Sequence, residues 1–366
     1  MILLLILGIA LGYQSFALLA CIVHLRRRDR RPSARPPVSI LKPIYGADDG
    51  FYPAIVSHAR IAYPQFEILF GVADPDDSAL PHIRRLQSEF PSVNIRIVQV
   101  ITKAPNAKVG SLADLAREAR HDLLLVNDSD ILVQPDYLDI VTAPLEDPAI
   151  GLVTCLYRAR ASSCPARWEA LGIATDFAPS ALVAPLVGVN EFGLGSTLCL
   201  RRGDLEAIGG FESIGPYIAD DYQLGKQISQ AGKKVVLTRM PVETHLGAGT
   251  WRSVWDHQVR WARTIRASRA AYLGLPITNA TLWAIVAAAT GHVALATALL
   301  LTRMSVAIIA ARPILRDPNF STLWPFVPAR DLWGLAIWIA GAIPGPVIWR
   351  GRRLKLDKQG RIVSLQ

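Results

Sequence analysis

The chain has 366 residues, 51% of them hydrophobic and 19% charged, with a formal net charge of +9. That length could hold two ordinary domains, but apolar stretches at both ends leave one soluble core of about 230 residues. Much of the positive charge flanks those stretches, where each Lys or Arg gains about 1 kcal/mol against anionic headgroups, so the expected partner is a lipid bilayer and nucleic acid is excluded.

Residues 2–23, ILLLILGIALGYQSFALLACIV, are long enough at 1.5 Å per residue to cross about 30 Å of hydrocarbon. Arg26, Arg27, Arg28, Arg30 and Arg31 follow this run instead of preceding it, and no A-x-A pattern comes after, which argues for an anchor over a cleaved signal peptide. The sequence therefore predicts a transmembrane helix over 1–24 and a basic, Pro-rich linker over 25–37, where RPSARPP cannot continue a helix.

A folded domain is expected over 38–250. Its apolar runs VSIL (38–41), EILFGVA (67–73), NIRIVQVI (94–101), DLLLVN (122–127) and IGLVTCLY (150–157) alternate with helical patterns such as PHIRRLQSEF and KVGSLADLAREAR. Strand and helix in alternation, with runs apolar throughout, predict an α/β domain with a mainly parallel sheet covered on both faces. Ligands of such sheets bind beyond the carboxyl ends of the strands. Further on, STLCLRRGDLEAIGGFE suggests a strand, a short helix and a Gly-Gly turn, and YQLGKQISQAG a helix closed by Gly232.

Residues 251–275 are rich in Arg and Trp and predict an amphipathic interfacial helix. A transmembrane region over 276–311, a loop over 312–331, a second transmembrane helix over 332–350 and a basic tail over 351–366 complete the expectation; residues 271–302 carry no Lys, Arg, Asp or Glu. Three crossings place the segment after Arg26 and the tail with Arg350, Arg352, Arg353, Lys355 and Lys358 on the same cytoplasmic side. A hairpin within 277–311 would make four and leave the tail outside. Cys21, Cys155, Cys164 and Cys199 lack C-x-x-C spacing, which argues against zinc and against a disulfide framework.

Three acidic signals carry the chemistry. Asp128-Ser129-Asp130 follows LLLVN, so its carboxylates leave the end of a buried strand; two Asp one residue apart can share a ribose and a hard cation such as Mg2+ or Mn2+ whose shell a diphosphate completes. The bland alternative is an acidic turn. Asp74, the first polar residue after FGVA, suits contact with a base or ribose, whereas Asp77 suits a helix cap. Asp220 and Asp221 open a helix, where a cap needs one carboxylate and a catalytic base would be kept ionised by the same dipole.

His257, Arg260 and Trp261 share one helical turn; Arg can brace a diphosphate and Trp can stack on a ring, or both can meet lipid at the interface. Lys108, beside Asn106, could touch a phosphate or be an exposed helix-opening lysine, and His245 is expected to be structural. Together these signals fit a membrane-embedded enzyme that uses a sugar nucleotide. The rivals are a non-catalytic lipid-binding membrane protein and a nucleotidyltransferase.

The series Asp74, Asp128-x-Asp130, Asp220-Asp221 and His257-x-x-Arg260-Trp261 resembles that of processive-type inverting glycosyltransferases. VSILKPIYGADD, YPQFEILFGVADPDD, NAKVGSL, YIADDYQLG and HQVRW resemble the ceramide glucosyltransferase family, and within it the bacterial hopanoid-biosynthesis-associated glycosyltransferases, from about Val38 to Arg266. The resemblance implies a GT-A fold, a UDP-sugar donor, a divalent cation, inversion at the anomeric carbon and a multi-pass protein of the bacterial inner membrane with a cytoplasmic catalytic domain. It makes Asp74 and Asp128 nucleotide-binding acids, Asp221 the base, and Arg260 with Trp261 the C-terminal motif. The expected reaction carries N-acetylglucosamine to a hopanoid alcohol such as bacteriohopanetetrol, with glucosylation of ceramide or a diacylglycerol as the alternative. His257 stands where Gln or Arg is usual, Asp130 where ceramide-type members can have Gly, and Ala178-Pro179 where ceramide enzymes place His before Pro.

Overall fold

The computed structural model describes residues 1–29, 31–268, 270–349 and 352–365; Arg30 and Arg350, both counted in the basic flanks, lie outside the described residues. The chain forms two compact units, an α/β unit from Arg28–Tyr157 and Val189–Gly247 and a helical unit from Met1–Arg27, Arg158–Gly188 and Ala248–Gln366.

The α/β unit is built on strands β1 (Val38–Pro43), β2 (Phe66–Val72), β3 (Asn94–Gln99), β4 (Leu123–Val126), β5 (Ile131–Leu132), β6 (Ile150–Ala161), β7 (Leu198–Arg201) and β8 (Lys234–Leu246). Their order is β3-β2-β1-β4-β7-β6-β8-β5. The pairs β3/β2, β2/β1 and β1/β4 are parallel, with Leu41 opposite both Leu69 and Val126. Beyond β4 the sheet turns antiparallel, at β4/β7, β7/β6 and β8/β5.

Alternate residues of the central strands enter two different cores. Ile40, Ile68, Phe70, Leu123 and Leu125 pack with Phe51 and Ile55 of helix Phe51–Ala59 and with Ile83 and Leu86 of helix Leu80–Glu89. Leu41, Leu69, Leu124 and Val126 pack with Leu112 and Leu115 of helix Ala107–Glu118 and with Leu224 and Ile228 of helix Asp220–Gln230. Helices thus cover both faces, which is why these strands read as continuous apolar runs. The run at 150–157 is a strand but pairs antiparallel with β7. Its connection from β4 carries the short strand β5, the six-residue helix Tyr137–Thr142 and the 3-10 turn Ala143–Glu146, not a full crossover helix, so no further parallel βαβ unit forms.

In the helical unit, helices Ile2–Arg26 and Val293–Ile314 are long and apolar enough to cross a membrane. The region expected over 276–311 is not one helix. Helices Tyr272–Thr278 and Ala280–Ala289 meet at a 56° bend, and Gly291, at φ +81°, turns the chain into Val293–Ile309. Leu7, Ala10, Ala284, Ala287, Ala296 and Leu299 form one cluster, small side chains allowing close helix approach.

The segment expected to span at 332–350 differs too. Its helix, Val327–Ala342, has 16 residues, about 24 Å at 1.5 Å per residue and short of about 30 Å of hydrocarbon. Pro344 and Pro346 follow it, and Val347–Trp349 is already a strand. That strand (β9) joins Arg352–Leu356 (β10) and Ile362–Leu365 (β11) in a three-stranded antiparallel sheet, so the basic tail is folded. Helix Trp251–Ser268 buries Val254, Gln258 and Ala262 at i, i+4 spacing and packs Val259 and Ala262 against Ile337, with Trp255 edge-on to Trp333 at 5.2 Å.

Candidate active site

The parallel half of the sheet delivers polar residues at its carboxyl edge. β4 ends at Val126 and the chain leaves as Asn127-Asp128-Ser129-Asp130. Asn127 is fully buried and anchors this turn, donating to Tyr137 Oη at 2.9 Å and to the Ser196 carbonyl at 2.6 Å. Lys42, near the end of β1, is also fully buried and donates to the Asp128 carbonyl at 3.0 Å. Burial pushes its pKa down to about 7, against the pull of the Asp130 and Asp128 carboxylates. Behind it, burial and Lys42 push the pKa of His58 down to about 3.

Lys108 is not an exposed helix-opening lysine. It is the second residue of helix Ala107–Glu118, whose cap Asn106 accepts the Lys108 N–H at 3.1 Å, and its ammonium is held 2.8 Å from Asp128 Oδ1 and 3.2 Å from Asp220 Oδ2. Those two carboxylates hold it well above the usual lysine range in spite of its burial.

Asp220 and Asp221 are the first two residues of helix Asp220–Gln230, whose N-cap is Ala219, without a side-chain cap bond. Asp220 faces Lys108, while Asp221 accepts from the backbone N–H of Gly195 at 2.9 Å and of Tyr222 at 2.7 Å. Burial raises the Asp221 carboxyl to about 6; the like charge of Asp220 adds to this and Lys108 opposes it.

Gly195 marks where these groups converge. A Cβ there would stand 3.2 Å from Asp128 Oδ2, 3.4 Å from Asp221 Oδ2 and 3.6 Å from Lys108 Nζ. Residues more than ninety apart in sequence thus share one small volume. Asp130 accepts from the Thr244 hydroxyl on β8, and burial, then Asp128, raises its pKa.

Asp74 stands beyond the carboxyl end of β2, exposed, on the same sheet edge, and its Oδ1 accepts the Asp76 N–H at 2.9 Å within its own turn. Asp77 accepts from the Ala79 N–H at 2.8 Å and the Gly46 N–H at 2.9 Å, the turn-bracing role expected of it. His245 packs against Gly50, where a Cβ would come within 2.5 Å of it.

Four carboxylates, Asp128, Asp130, Asp220 and Asp221, face two ammonium groups, Lys42 and Lys108. Hard oxygen donors with excess negative charge fit Mg2+ or Mn2+. Among the described residues no three His, Cys, Asp or Glu side chains are grouped to enclose a metal. Asp128 and Asp130 could supply part of such a cation's shell, with diphosphate oxygens completing it. Lys42, Gly195 and Thr244 were not anticipated. A lysine inside the apolar run VSILKP was the one available signal, since a charge in a buried strand needs partners.

His257, Arg260 and Trp261 belong to the helical unit and form a second cluster there. The His257 Nδ1 lies 2.5 Å from the buried Glu169 carboxylate, and its ring centroid is 4.9 Å from that of Trp261, which also meets Phe177 at 6.5 Å. Burial lowers the pKa of Arg260, opposed by Glu169. Glu169, inside the poorly patterned stretch 162–194, gave no signal in the sequence.

Comparison with known proteins agrees with this architecture. A mannosyltransferase, PcManGT from Pyrobaculum calidifontis, solved in complex with GDP-Man and Mn2+, superposes with a TM-score of 0.52 at 18% identity, covering 92% of this chain and 97% of that one. At that identity the likeness shows the fold, a GT-A-like arrangement with a mixed sheet. Ceramide glucosyltransferase 1 of Caenorhabditis elegans is 29% identical over 231 residues, 62% of this chain and 49% of that protein. Ceramide glucosyltransferase 3 of the same organism is 28% identical over 259 residues, 70% and 54% respectively, so the chain spans about half the length of these relatives. The profile of glycosyl transferase family 21 matches residues 2–362, and the chain belongs to that family.

Proposed function

We propose that the chain is a membrane-bound, inverting glycosyltransferase of the bacterial inner membrane, with its α/β unit in the cytoplasm. It takes a UDP-sugar, by resemblance UDP-N-acetylglucosamine, and glycosylates a lipid hydroxyl, by resemblance that of a hopanoid such as bacteriohopanetetrol. The observation that carries this reading is Asp221. Its carboxylate is fixed by two backbone N–H groups, has its pKa raised to about 6 and shares one small volume with Lys108 and Asp128.

Asp221 accepts the hydroxyl proton as the lipid oxygen bonds to C1 of the sugar, on the face opposite UDP. The C1–O bond to the diphosphate breaks and its electron pair leaves with UDP, so configuration inverts. Asp130 and Asp128 would hold a divalent cation, which supplies positive charge against the leaving diphosphate. Asp74 is assigned to the base or ribose, and Asp128 also to the ribose. Lys108 pairs with Asp128 and Asp220, leaving Asp221 as the carboxylate available for a proton. Arg260 would brace the diphosphate and Trp261 stack on the sugar or acceptor, with His257 orienting that turn through Glu169. Mn2+ in the mannosyltransferase complex and the names of the ceramide relatives support a cation and a lipid acceptor.

The test is incubation of the purified protein with a panel of UDP-sugars and membrane lipids, with products identified by mass spectrometry and anomeric configuration by NMR. A β-linked glycolipid of a hopanoid from an α-linked donor is expected. Product with ceramide but with no hopanoid overturns the acceptor, a retained configuration overturns inversion, and release of pyrophosphate in place of UDP identifies a nucleotidyltransferase. If Asp221→Asn keeps full function, the non-catalytic lipid-binding reading replaces this one.

A further inference from the structure

Within the helical unit lies a cavity of about 200 Å³ that none of the chemistry above uses. Its floor is ionic. Arg303, on the apolar helix Val293–Ile314, has a side chain only 5% exposed; its Nε donates to Asp331 at 3.0 Å and its two Nη atoms to the Thr175 carbonyl at 2.9 Å and Asp176 at 2.7 Å. Arg330 adds a second guanidinium 3.5 Å from Asp176. An arginine on a segment apolar enough to span is costly there and marks function by default.

The charges around this cavity balance, two arginines against two aspartates; Asp331, 3% exposed at its side chain, is buried as deeply as the arginines, and Asp176 is the one charge left open. Arg303 and Arg330 are 5% and 8% exposed at their side chains, whereas the Asp176 carboxylate remains 37% exposed. What the cavity offers a ligand is therefore oxygen: Asp176, the Tyr13 hydroxyl, and the Ser180 hydroxyl, which donates to the Asp176 carbonyl at 2.7 Å. A phosphate would meet the Asp176 carboxylate beside an Arg303 guanidinium whose three nitrogens already donate to Asp331, Thr175 and Asp176, and a cationic head would meet a carboxylate already paired with two arginines. A neutral group bearing hydroxyls satisfies these acceptors without importing charge.

The rest of the lining is apolar, with Val306, Leu335 and Trp338, and Leu275 stays 44% exposed. The volume is below the roughly 300–1,000 Å³ of pockets that take drug-sized ligands, so it holds the polar end of a lipid and no more. We propose that this cavity binds the neutral, hydroxyl-bearing end of a membrane lipid, whose alkyl part leaves past Leu275. The inference stands apart from the sugar-transfer reading, since it concerns binding alone.

The experiment uses the full chain in phosphatidylcholine nanodiscs and isothermal calorimetry with 1-O-dodecylglycerol, dodecyl phosphate and dodecyltrimethylammonium as probes. Saturable binding of dodecylglycerol, not competed by the two charged probes, is expected. Tyr13→Phe and Ser180→Ala, which keep volume and leave the ionic floor intact, should each weaken it about fivefold to tenfold with unchanged thermal unfolding. Equal binding of either charged probe, or variants that bind dodecylglycerol like the parent, overturns the proposal. Where glycolipid synthesis is measurable, a raised KM for the lipid with an unchanged KM for the UDP-sugar in the same variants identifies the occupant as the acceptor. Unchanged kinetics with weakened binding identifies a resident lipid that is not a substrate.

Discussion

At the residue scale the cluster around Lys108 shows how neighbours divide work among chemically identical carboxylates. Asp128 and Asp220 contact the Lys108 ammonium, while Asp221 accepts from the Gly195 and Tyr222 N–H groups, and burial, with the like charge of Asp220, keeps its pKa raised at about 6 against those donors. A base acts in its deprotonated form, so kcat/KM is expected to climb as pH rises through about 6 and then level off. The neighbours set the sign of any displacement. Lys108 lowers the Asp221 pKa and Asp220 raises it. Lys108→Met should therefore move the acidic limb to higher pH, and Asp220→Asn to lower pH, while Asp221→Asn removes the limb and about 10²- to 10⁴-fold of the rate. Limbs that stay fixed in both neighbour variants would remove Asp221 from the role of base. The sequence placed Asp128 and Asp221 correctly at element ends, but it could not show that Lys108 is held between Asp128 and Asp220. Burial of a lysine depends on two carboxylates from distant segments, and spacing along one helix carries no trace of that.

Element by element, legibility follows how local the determinants are. β1, β2 and β4 were readable because burial on both faces leaves them apolar at all but a few positions, Ser39, Lys42 and Glu67. The short helix after β7 and its turn were readable because Gly209 and Gly210 adopt φ of +88° and +72°, where other residues are strained. The two-residue strand β5 and the antiparallel placement of β6 were not, since both depend on pairing with strands far away in sequence. The same limit hid Gly195, whose importance is the close approach of three side chains from other segments. Helix Ala107–Glu118 joins the two levels. Its cap Asn106 is fully buried, accepts the Lys108 N–H and donates to the Tyr217 carbonyl at 2.9 Å, fixing both the start of the helix and the segment leading to Asp220. Asn106→Ala should cost about 1–2 kcal/mol of stability in denaturant unfolding, and more activity than that loss explains, because Lys108 and Asp220 lose register together. Full activity at normal stability would show that the cap is dispensable for the site.

For the whole molecule the open quantity is sidedness. Two helices are long and apolar enough to span, the bent pair Tyr272–Thr278 and Ala280–Ala289 is a third candidate, and helix Val327–Ala342 is too short to cross alone. The sequence offered a hairpin within 277–311 only as an alternative, and counting apolar residues could not choose it, because Gly291 and the prolines after Ala342 divide stretches whose composition is uniform. The cysteines offer a direct measurement. Cys21, Cys155 and Cys199 are buried and Cys164 is exposed, three residues after the end of β6. Burial keeps the thiols of Cys155 and Cys199 protonated and unreactive, with Cys155 pushed up to about 11. The native chain should therefore take up one equivalent of a membrane-impermeant maleimide, and four after denaturation in detergent. The positive-inside rule places the Arg-rich segment after Arg26, and with it the entry to the α/β unit, on the cytoplasmic side. Labelling of Cys164 is then expected in inside-out vesicles and absent from right-side-out ones. The opposite pattern would put the strand end at β6 outside the cell, out of reach of cytoplasmic sugar nucleotides, and would defeat the proposed orientation whatever the number of crossings.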